Sequence, residues 1–368
     1  MTISRLSKLD SLMASFNVDT IVLNPGPSLT YLTGLHFHLM ERPTVFLYQL
    51  GAPPALILPE LEKGKLETSR IPLTAFPFSD DPSTWQQVFS DAVRRFGLSH
   101  TSIGIEPTRL RFLELNFLEI AAPDCTFFAA EGIFENLRIH KEEEEISSMR
   151  KAVLIAENAL TATLPMIREG TSEEKIASEL IIQLYRAGSS SELPFAPIVA
   201  AGPNSANPHA VPTRRTLQRG DLLVIDWGAG YEGYCSDLTR TFAIGELSDE
   251  FRAIYQTVLQ ANQAGRCAGR PGIKAGGIDL AARSEIEKNG FGDFFPHRTG
   301  HGLGMEGHET PYLFSANPQL LEKGMVYTVE PGIYFPGKGG VRIEDDIVIT
   351  ENGSESLSNY SRELQILG

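Results

Sequence analysis

The stretch DLLVIDWGAGYEGYCSDLTRTFAIG, residues 221–245, decides how the second half of this chain folds. Two apolar runs flank a glycine-rich centre, a pattern typical of a β-hairpin. We predict one strand through Ile225 and a second through Thr241. Asp226 then lies late in the first strand and Asp237 in the second, although aspartate is depleted in strand interiors. If the strands pair in register, the two carboxylates meet on one face; alternatively, each accepts hydrogen bonds from a turn or a nearby arginine.

The composition around this hairpin is that of an ordinary globular protein. Of 368 residues, 42% are hydrophobic and 21% are charged, and the length predicts two domains of unequal size. Forty-six acidic against thirty-two basic residues give a net charge of −14, which argues against nucleic-acid binding.

Cysteine usage and hydropathy predict the compartment. The three cysteines, Cys125, Cys235 and Cys267, match neither a disulfide framework nor a zinc motif. The start of the chain has no uninterrupted apolar signal region, and no window approaches eighteen apolar residues. We therefore expect a cytoplasmic protein that does not span a membrane.

The pattern of elements changes about one third of the way along the chain. Short β-rich runs alternate with helical segments up to about residue 130, which predicts a smaller α/β domain at 1–132. A long helical period follows, and strands predominate from about residue 195, which predicts an α+β domain at 133–368. The acidic run 142–145 points around the first turn of that long helix, where negative charge favours the helix dipole, so we do not interpret it as a metal site.

Two further carboxylates have a fixed local geometry. Glu330 precedes Pro331 and Gly332, so its backbone is biased to the extended region before a sharp turn. In GGVRIEDDIVIT, residues 339–350, the period of two puts Arg342 and Glu344 on the same face of a strand. A surface edge strand would show the same pattern.

Histidines are concentrated in HRTGHGLGMEGHE, residues 297–309. His297 and His301 are four residues apart and so share a face, while the glycines beside His301 would let a substrate or an ion approach closely. A structural role is the commoner one for any single histidine, but the three together, His297, His301 and His308, accompany four candidate carboxylates. One imidazole and four carboxylates suit two divalent cations of the manganese, cobalt, iron or zinc type, and hydrolysis is the natural chemistry of such a pair.

With these motifs in place, the chain resembles the pita-bread metallopeptidases, the family of methionine aminopeptidase, prolidase and aminopeptidase P. The family's five metal ligands run Asp, Asp, His, Glu, Glu, and this chain offers Asp226, Asp237, His301, Glu330 and Glu344 in that order. The first 130 residues, with NPGPSLTYLTG, are similar to the N-terminal domain of prolidase, aminopeptidase P and creatinase. The resemblance therefore implies a pita-bread catalytic domain preceded by a creatinase-type domain.

The resemblance also implies roles for single residues. A metal-bridging hydroxide would attack the scissile carbonyl, with Glu330 as both ligand and general acid–base group. His209 and His308 would contact the substrate carbonyl and the tetrahedral intermediate, or transfer protons. His297 and Arg342 match the proline-specific branch, which implies that they bind substrate.

The expected substrates are short peptides with proline second, cleaved on the amino side of that proline by an Xaa-Pro aminopeptidase or an Xaa-Pro dipeptidase. The resemblance implies two divalent ions, with manganese preferred over cobalt, zinc or iron, and a homodimer. Two alternatives stay open. One is a creatinase-like amidinohydrolase or another C–N hydrolase, and the other is a non-catalytic pita-bread binding protein; five intact ligands argue against both.

Overall fold

The computed structural model of the chain describes residues 4–368. Its contacts divide the chain into two compact units between Arg138 and Ile139. The predicted boundary between residues 132 and 133 lies inside a helix of the first unit, Glu131–Arg138, and stays a prediction.

The first unit is built on a six-stranded mixed sheet. Its strands are β1 Thr20–Leu23, β2 Val45–Gln49, β3 Ala55–Pro59, β4 Thr74–Phe78, β5 Ser102–Ile105 and β6 Thr126–Ala129. The order is β4-β3-β2-β1-β5-β6, in which β2 runs antiparallel to both of its neighbours and the other pairs are parallel. The α-helices are α1 Arg5–Ser15, α2 Pro27–Thr33, α3 Trp85–Phe96, α4 Phe112–Ala121 and α5 Glu131–Arg138. This is an α/β arrangement, as the alternating pattern predicted.

Four long helices belong to the second unit: α6 Glu143–Thr163, α7 Glu173–Ala187, α8 Asp249–Ala268 and α9 Ala275–Lys288. Ser172 and Ser248 cap α7 and α8 by accepting hydrogen bonds from backbone N–H groups of the first turn. Glu142 and Glu145 form a capping box at the start of α6, which confirms that the acidic run begins a helix.

Two larger sheets and two short ribbons complete the second unit. Its strands are β7 Ile198–Ala201, β8 Leu222–Trp227, β9 Gly230–Tyr231, β10 Tyr234–Cys235, β11 Leu238–Ile244, β12 Gly300–Gly302, β13 Glu309–Leu313, β14 Val326–Val329, β15 Gly332–Phe335, β16 Gly339–Arg342, β17 Asp345–Ile349, β18 Ser354–Ser356 and β19 Ile366–Leu367. One sheet has the order β19-β11-β8-β7 and the other β13-β12-β14-β17-β18, while β9-β10 and β15-β16 pair separately. Helices and antiparallel strand pairs are thus segregated along the chain, as in an α+β fold.

The helices bury their apolar faces against these sheets. Residues of α6 and α7 share one core with β7, β8 and β11, which includes the fully buried Trp227. Residues of α8 and α9 pack on β13, β14 and β17 in one cluster and on β15 and β16 in another. Because Val341 and Ile343 are buried in the latter cluster, Arg342 and Glu344 must face the opposite way, as the period of two predicted.

A buried ionic network ties the two larger sheets together next to β17. Asp345 is fully buried and accepts hydrogen bonds from Arg240 of β11, from Arg362 and from Ser358. These cations hold its pKa well below the usual range despite burial. The backbone of Glu344, the preceding residue, donates a 3.1 Å hydrogen bond to Thr239 O of β11. The position of Glu344 is therefore fixed by contacts on both sides.

Within residues 4–368, no helix is long and apolar enough to cross a membrane.

Candidate metal centre

The five predicted ligands lie within or next to strands of the second unit. Asp226 is in β8, Asp237 immediately precedes β11, and His301 is in the middle of β12. Glu330 follows β14, and Glu344 lies between β16 and β17. The structure brings all five together in overlapping groups, each with its ligand atoms within 4.8 Å of one another: Asp237 with His301 and His308, His301 with Glu330 and Glu344, and Asp226 with Asp237 and Glu344.

The hairpin predicted around Asp226 is present, with one difference. Asp226 pairs with Thr239, so Asp237 lies before the second strand and diagonally across from Asp226 on the same face. The short β9-β10 ribbon takes up the residues between the arms. Only glycine fits at position 228 of this turn, because a Cβ there would lie 2.1 Å from Ser236 O.

His301 presents a lone pair to carboxylates. Its Nδ1 lies 3.1 Å from Gly302 O, a contact that requires Nδ1–H as the donor and leaves Nε2 unprotonated. Nε2 then lies 3.3 Å from Glu330 Oε1 and 3.7 Å from Asp237 Oδ2. Burial and the charge of His308 lower the pKa of His301 to about 3, so the ring stays neutral. A lone pair facing two carboxylates is unfavourable unless a cation lies between them.

The glycines beside His301 serve the sheet rather than the approach of a ligand, which corrects the interpretation made from sequence. A Cβ at Gly300 would lie 2.0 Å from Thr328 O, and one at Gly302 would lie 2.1 Å from Thr310 O. Both positions therefore need glycine because the neighbouring backbones approach closely.

Asp226 has one oxygen paired and the other orphaned. Oδ2 accepts a 2.6 Å hydrogen bond from Arg342 Nη2, whereas Oδ1 is buried and accepts none. A buried carboxylate oxygen without a partner costs free energy that a bound cation would recover.

The carboxylates of this cluster raise one another's pKa values. Burial is the largest cause for Asp237 and Glu344, and the charges of neighbouring carboxylates add to it. Burial also raises the pKa of Glu330 to about 7, against the opposing charge of Arg342. Three buried carboxylates, the half-buried Glu330 and one neutral imidazole form a donor set that fits hard or borderline divalent cations.

His297 lies apart from the carboxylates. It precedes β12, so it does not share a strand face with His301, and its Nε2 lies 2.9 Å from Tyr334 Oη. Its Nδ1 lies 2.7 Å from Arg298 O, which makes Nδ1 the donor and Nε2 the acceptor. Tyr334 receives a 3.0 Å hydrogen bond from Arg342 Nη1. Burial lowers the pKa of His297 to about 4, so the series of hydrogen bonds from Arg342 through Tyr334 ends at a neutral imidazole ring.

His308 and His209 are exposed side chains beside the cluster. The ring centroid of His308 lies 3.8 Å from that of His301, and partial desolvation of the ring by its neighbours lowers the pKa of His308. The charge of His209 acts on Asp226, on His297 and on His308. Apart from His297, which Tyr334 connects to Arg342, the predicted site residues are therefore at or beside one cluster.

Several supporting residues were missed from the sequence. Thr239 donates a 2.6 Å hydrogen bond to Glu344, and Asp346 accepts one of 3.1 Å from the backbone of Asp237. Tyr334 links Arg342 to His297. Thr239 and Tyr334 occur within the motifs DLTR and EPGIY, and Asp346 follows Glu344 by two residues, so proximity to a ligand was the available signal.

Comparison with known proteins agrees with this geometry. The model of metallopeptidase family M24 matches residues 147–351, and the model of the creatinase/prolidase N-terminal domain matches residues 5–140. An Xaa-Pro dipeptidase of Lactobacillus helveticus is 34% identical over 98% of this chain and 98% of its own length.

Solved structures give the same result. A dipeptidase from Pyrococcus horikoshii OT3 superposes with a TM-score of 0.93 at 36% identity, covering 99% of this chain and all of that one. An X-Pro aminopeptidase from Thermotoga maritima superposes with a TM-score of 0.85 at 30% identity, covering 98% of this chain and 99% of that one.

The fold and the cluster together define a metallopeptidase. The chain belongs to metallopeptidase family M24 and carries a creatinase/prolidase N-terminal domain. The predicted family and both predicted fold classes are confirmed.

Proposed function

We propose that this enzyme is an exopeptidase that hydrolyses the Xaa-Pro bond in dipeptides or at the N-terminus of longer peptides. The observation that carries the proposal is the buried cluster of Asp226, Asp237, His301, Glu330 and Glu344, with its neutral imidazole and orphaned carboxylate oxygen. The names of the relatives, an Xaa-Pro dipeptidase and an X-Pro aminopeptidase, support proline as the specificity.

Those five residues would hold two divalent metal ions, with manganese as our first expectation and cobalt, zinc or iron as alternatives. When bound, such ions supply an activated water as nucleophile and polarise the scissile carbonyl. Arg342 orients Asp226 for this role through the 2.6 Å contact, and Thr239 orients Glu344 in the same way.

Glu330 is our candidate for the group that moves protons. Its carboxylate lies 3.3 Å from His301 Nε2, among the residues that would hold the ions, so it would be close to the water that those ions activate, as a general acid–base group must be. His308 and His209, both exposed beside the cluster, would donate hydrogen bonds to the substrate carbonyl.

The Arg342, Tyr334 and His297 chain is our candidate for substrate binding. A bond before proline has no N–H, so recognition by extended backbone pairing fails and side chains must position the substrate. His297 is held in one tautomer by its two hydrogen bonds, and the fixed charge of Arg342 lies at the other end of the chain.

We further propose domains at 1–132 and 133–368, a homodimer and a cytoplasmic location. The three cysteines, all free in the structure, are consistent with a reducing compartment. Family resemblance supports the homodimer.

The test is hydrolysis of an Xaa-Pro dipeptide, an Xaa-Pro-Yaa tripeptide and a Met-Ala-Ser tripeptide, after chelation and then with manganese, cobalt or zinc restored. Cleavage of the dipeptide alone identifies a dipeptidase, and cleavage of the proline tripeptide identifies an aminopeptidase. Metal-dependent cleavage of Met-Ala-Ser alone would overturn the proline specificity. A metal-loaded protein that cleaves none of the three would contradict the proposal.

A further inference from the structure

A buried carboxylate outside the metal cluster accepts hydrogen bonds from both ends of one loop. Glu173, the first residue of α7, has no exposed surface. Its Oε1 accepts a 2.7 Å hydrogen bond from Ala201 N, and its Oε2 accepts hydrogen bonds of 2.9 Å from both Asn204 Nδ2 and Thr213 N. The Thr213 hydroxyl adds a fourth, of 2.6 Å, to Oε2.

The segment between these donors, residues 202–212, is the His209 loop. One end follows β7 and the other leads towards β8, so Glu173 joins positions that are twelve residues apart in the chain. The centre of the loop has a second support, because Pro208 O accepts a 3.2 Å hydrogen bond from Arg342 Nη1. The loop is thus fixed at its ends by one buried carboxylate and at its centre by the arginine that also binds Asp226.

The chemistry of this contact requires a carboxylate. Four donors converge on two oxygens, and an ionised carboxylate is the side-chain group that offers acceptors alone. A glutamine has one acceptor oxygen, so its NH₂ group would face a backbone N–H or the donors from Asn204 and Thr213. The first turn of α7 also favours negative charge at this position.

We propose that Glu173 is a positioning residue for His209, acting by fixing both ends of the His209 loop so that the exposed imidazole is held beside the metal cluster. This inference rests on the proposed function, in which His209 contacts the substrate carbonyl. A loop with free ends would let the ring move by an ångström or more, a displacement that costs about 100-fold in rate when it affects a reacting group.

The test compares Glu173→Gln, His209→Ala and the double variant in the metal-loaded enzyme. Glu174→Gln is the matched control, because Glu174 is the next residue of α7, is 53% exposed and pairs with Arg214 at 3.8 Å. Metal content and thermal unfolding are recorded for each, and kcat and KM are measured on an Xaa-Pro dipeptide.

We expect Glu173→Gln to lower kcat/KM by about 10- to 100-fold at unchanged metal content. In the His209→Ala background, Glu173→Gln should lower kcat/KM by less than about twofold, because Glu173 acts on catalysis only through His209. Equal losses in both backgrounds, or wild-type activity of Glu173→Gln, would overturn the inference. If Glu173→Gln fails to fold, Thr213→Val replaces it, because this change removes the hydroxyl that donates to Glu173 Oε2. Its loss of kcat/KM should likewise be smaller in the His209→Ala background than in the wild type.

Amide hydrogen exchange of the metal-loaded protein keeps this inference separate from the proposed function. We expect exchange across residues 201–213 to rise in Glu173→Gln and not in Glu174→Gln. Unchanged amide exchange across residues 201–213 in Glu173→Gln would overturn the inference, whichever substrate the enzyme cleaves. If the wild type cleaves no peptide but exchange rises in Glu173→Gln, the proposed function is contradicted, while the role of Glu173 in fixing the His209 loop is supported.

Discussion

Arg342 and Asp226 form a buried pair in which only one carboxylate oxygen is used. Arg342 Nη2 lies 2.6 Å from Asp226 Oδ2, and Oδ1 of the same carboxylate is buried without a hydrogen bond. The arginine also donates to Thr239, Tyr334 and Pro208. One guanidinium thus fixes a metal-ligand candidate, a substrate-binding candidate and the His209 loop.

Replacing Arg342 by lysine should break several of these contacts at once. A single ammonium cannot reproduce the fork of a guanidinium, so we expect Arg342→Lys to lower metal affinity or kcat/KM by about 10- to 100-fold. Metal titration and peptide kinetics measure the two effects. Arg150→Lys is the control, because Arg150 also binds a carboxylate, that of Glu355, but does so at the surface. Wild-type values for Arg342→Lys would show that the shared contacts are dispensable.

Asp237→Asn should abolish metal binding and stabilise the chelated protein. Burial and the charges of Glu344 and Asp226 raise the pKa of Asp237, so ionising it in the metal-free cluster is unfavourable. Removing that charge relieves repulsion, and each kcal/mol relieved raises Tm by about 2–4 °C in a unit of this size. Metal analysis and thermal unfolding after chelation test both halves. A variant that keeps two ions per chain would remove Asp237 from the ligand set.

His297 should remain neutral over the working pH range. Its pKa is about 4, below the ordinary value of 6.5, so the folded chain binds fewer protons than the unfolded chain between these values. The stability contribution is therefore complete above pH 6.5 and is lost as pH falls through about 4. Nitrogen chemical shifts of the ring, followed by NMR from pH 8 to well below pH 4, measure the titration.

Tyr334→Phe should raise the pKa of His297. The hydroxyl, whose own pKa is raised to about 12 by burial, stays protonated and donates to Nε2, which favours the neutral ring. We expect the midpoint to move towards 6.5 in the variant, while Phe335→Leu, at the next position of β15, leaves it unchanged. If the titration midpoint of His297 is the same in Tyr334→Phe, the lowering of its pKa is due to burial and not to the hydroxyl of Tyr334.

The buried pair of Lys141 and Glu309 should be sensitive to loss of one partner. Their side chains are 1% and 8% exposed, the ammonium and a carboxylate oxygen lie 2.6 Å apart, and Glu309 follows His308 in the sequence. Lys141→Met leaves a buried carboxylate and should cost about 3–5 kcal/mol in the free energy of unfolding. The exposed pair of Lys323 and Glu351 is the matched control, and Lys323→Met should cost under about 1 kcal/mol. Similar losses in the two variants, by denaturant unfolding, would contradict the role of burial.

Much of the arrangement of the candidate site was predictable, because each candidate ligand lies in a short motif with its own local geometry. The hairpin placed Asp226 and Asp237 on one face, and the period of two placed Arg342 beside Glu344. The roles of the glycines at 300 and 302 were misread, since nothing local reveals that Thr328 and Thr310 approach them from other strands.

The supports of the site escaped sequence reasoning because they join distant positions. Pro208 and Arg342 are separated by 134 residues, and Glu173 meets Thr213 across 40. Such contacts depend on how the sheets and helices pack, which neither periodicity nor motif spacing specifies.

The order of the ligands along the chain bears on how the centre is made during synthesis. Asp226 and Asp237 leave the ribosome more than a hundred residues before Glu344, and Asp345 needs Ser358 and Arg362 from still later in the chain. A nascent chain therefore displays the first two carboxylates without the residues that complete the cluster. The full set of candidate ligands therefore exists only once the whole catalytic unit has been translated, so the ribosome-bound chain lacks a complete metal centre.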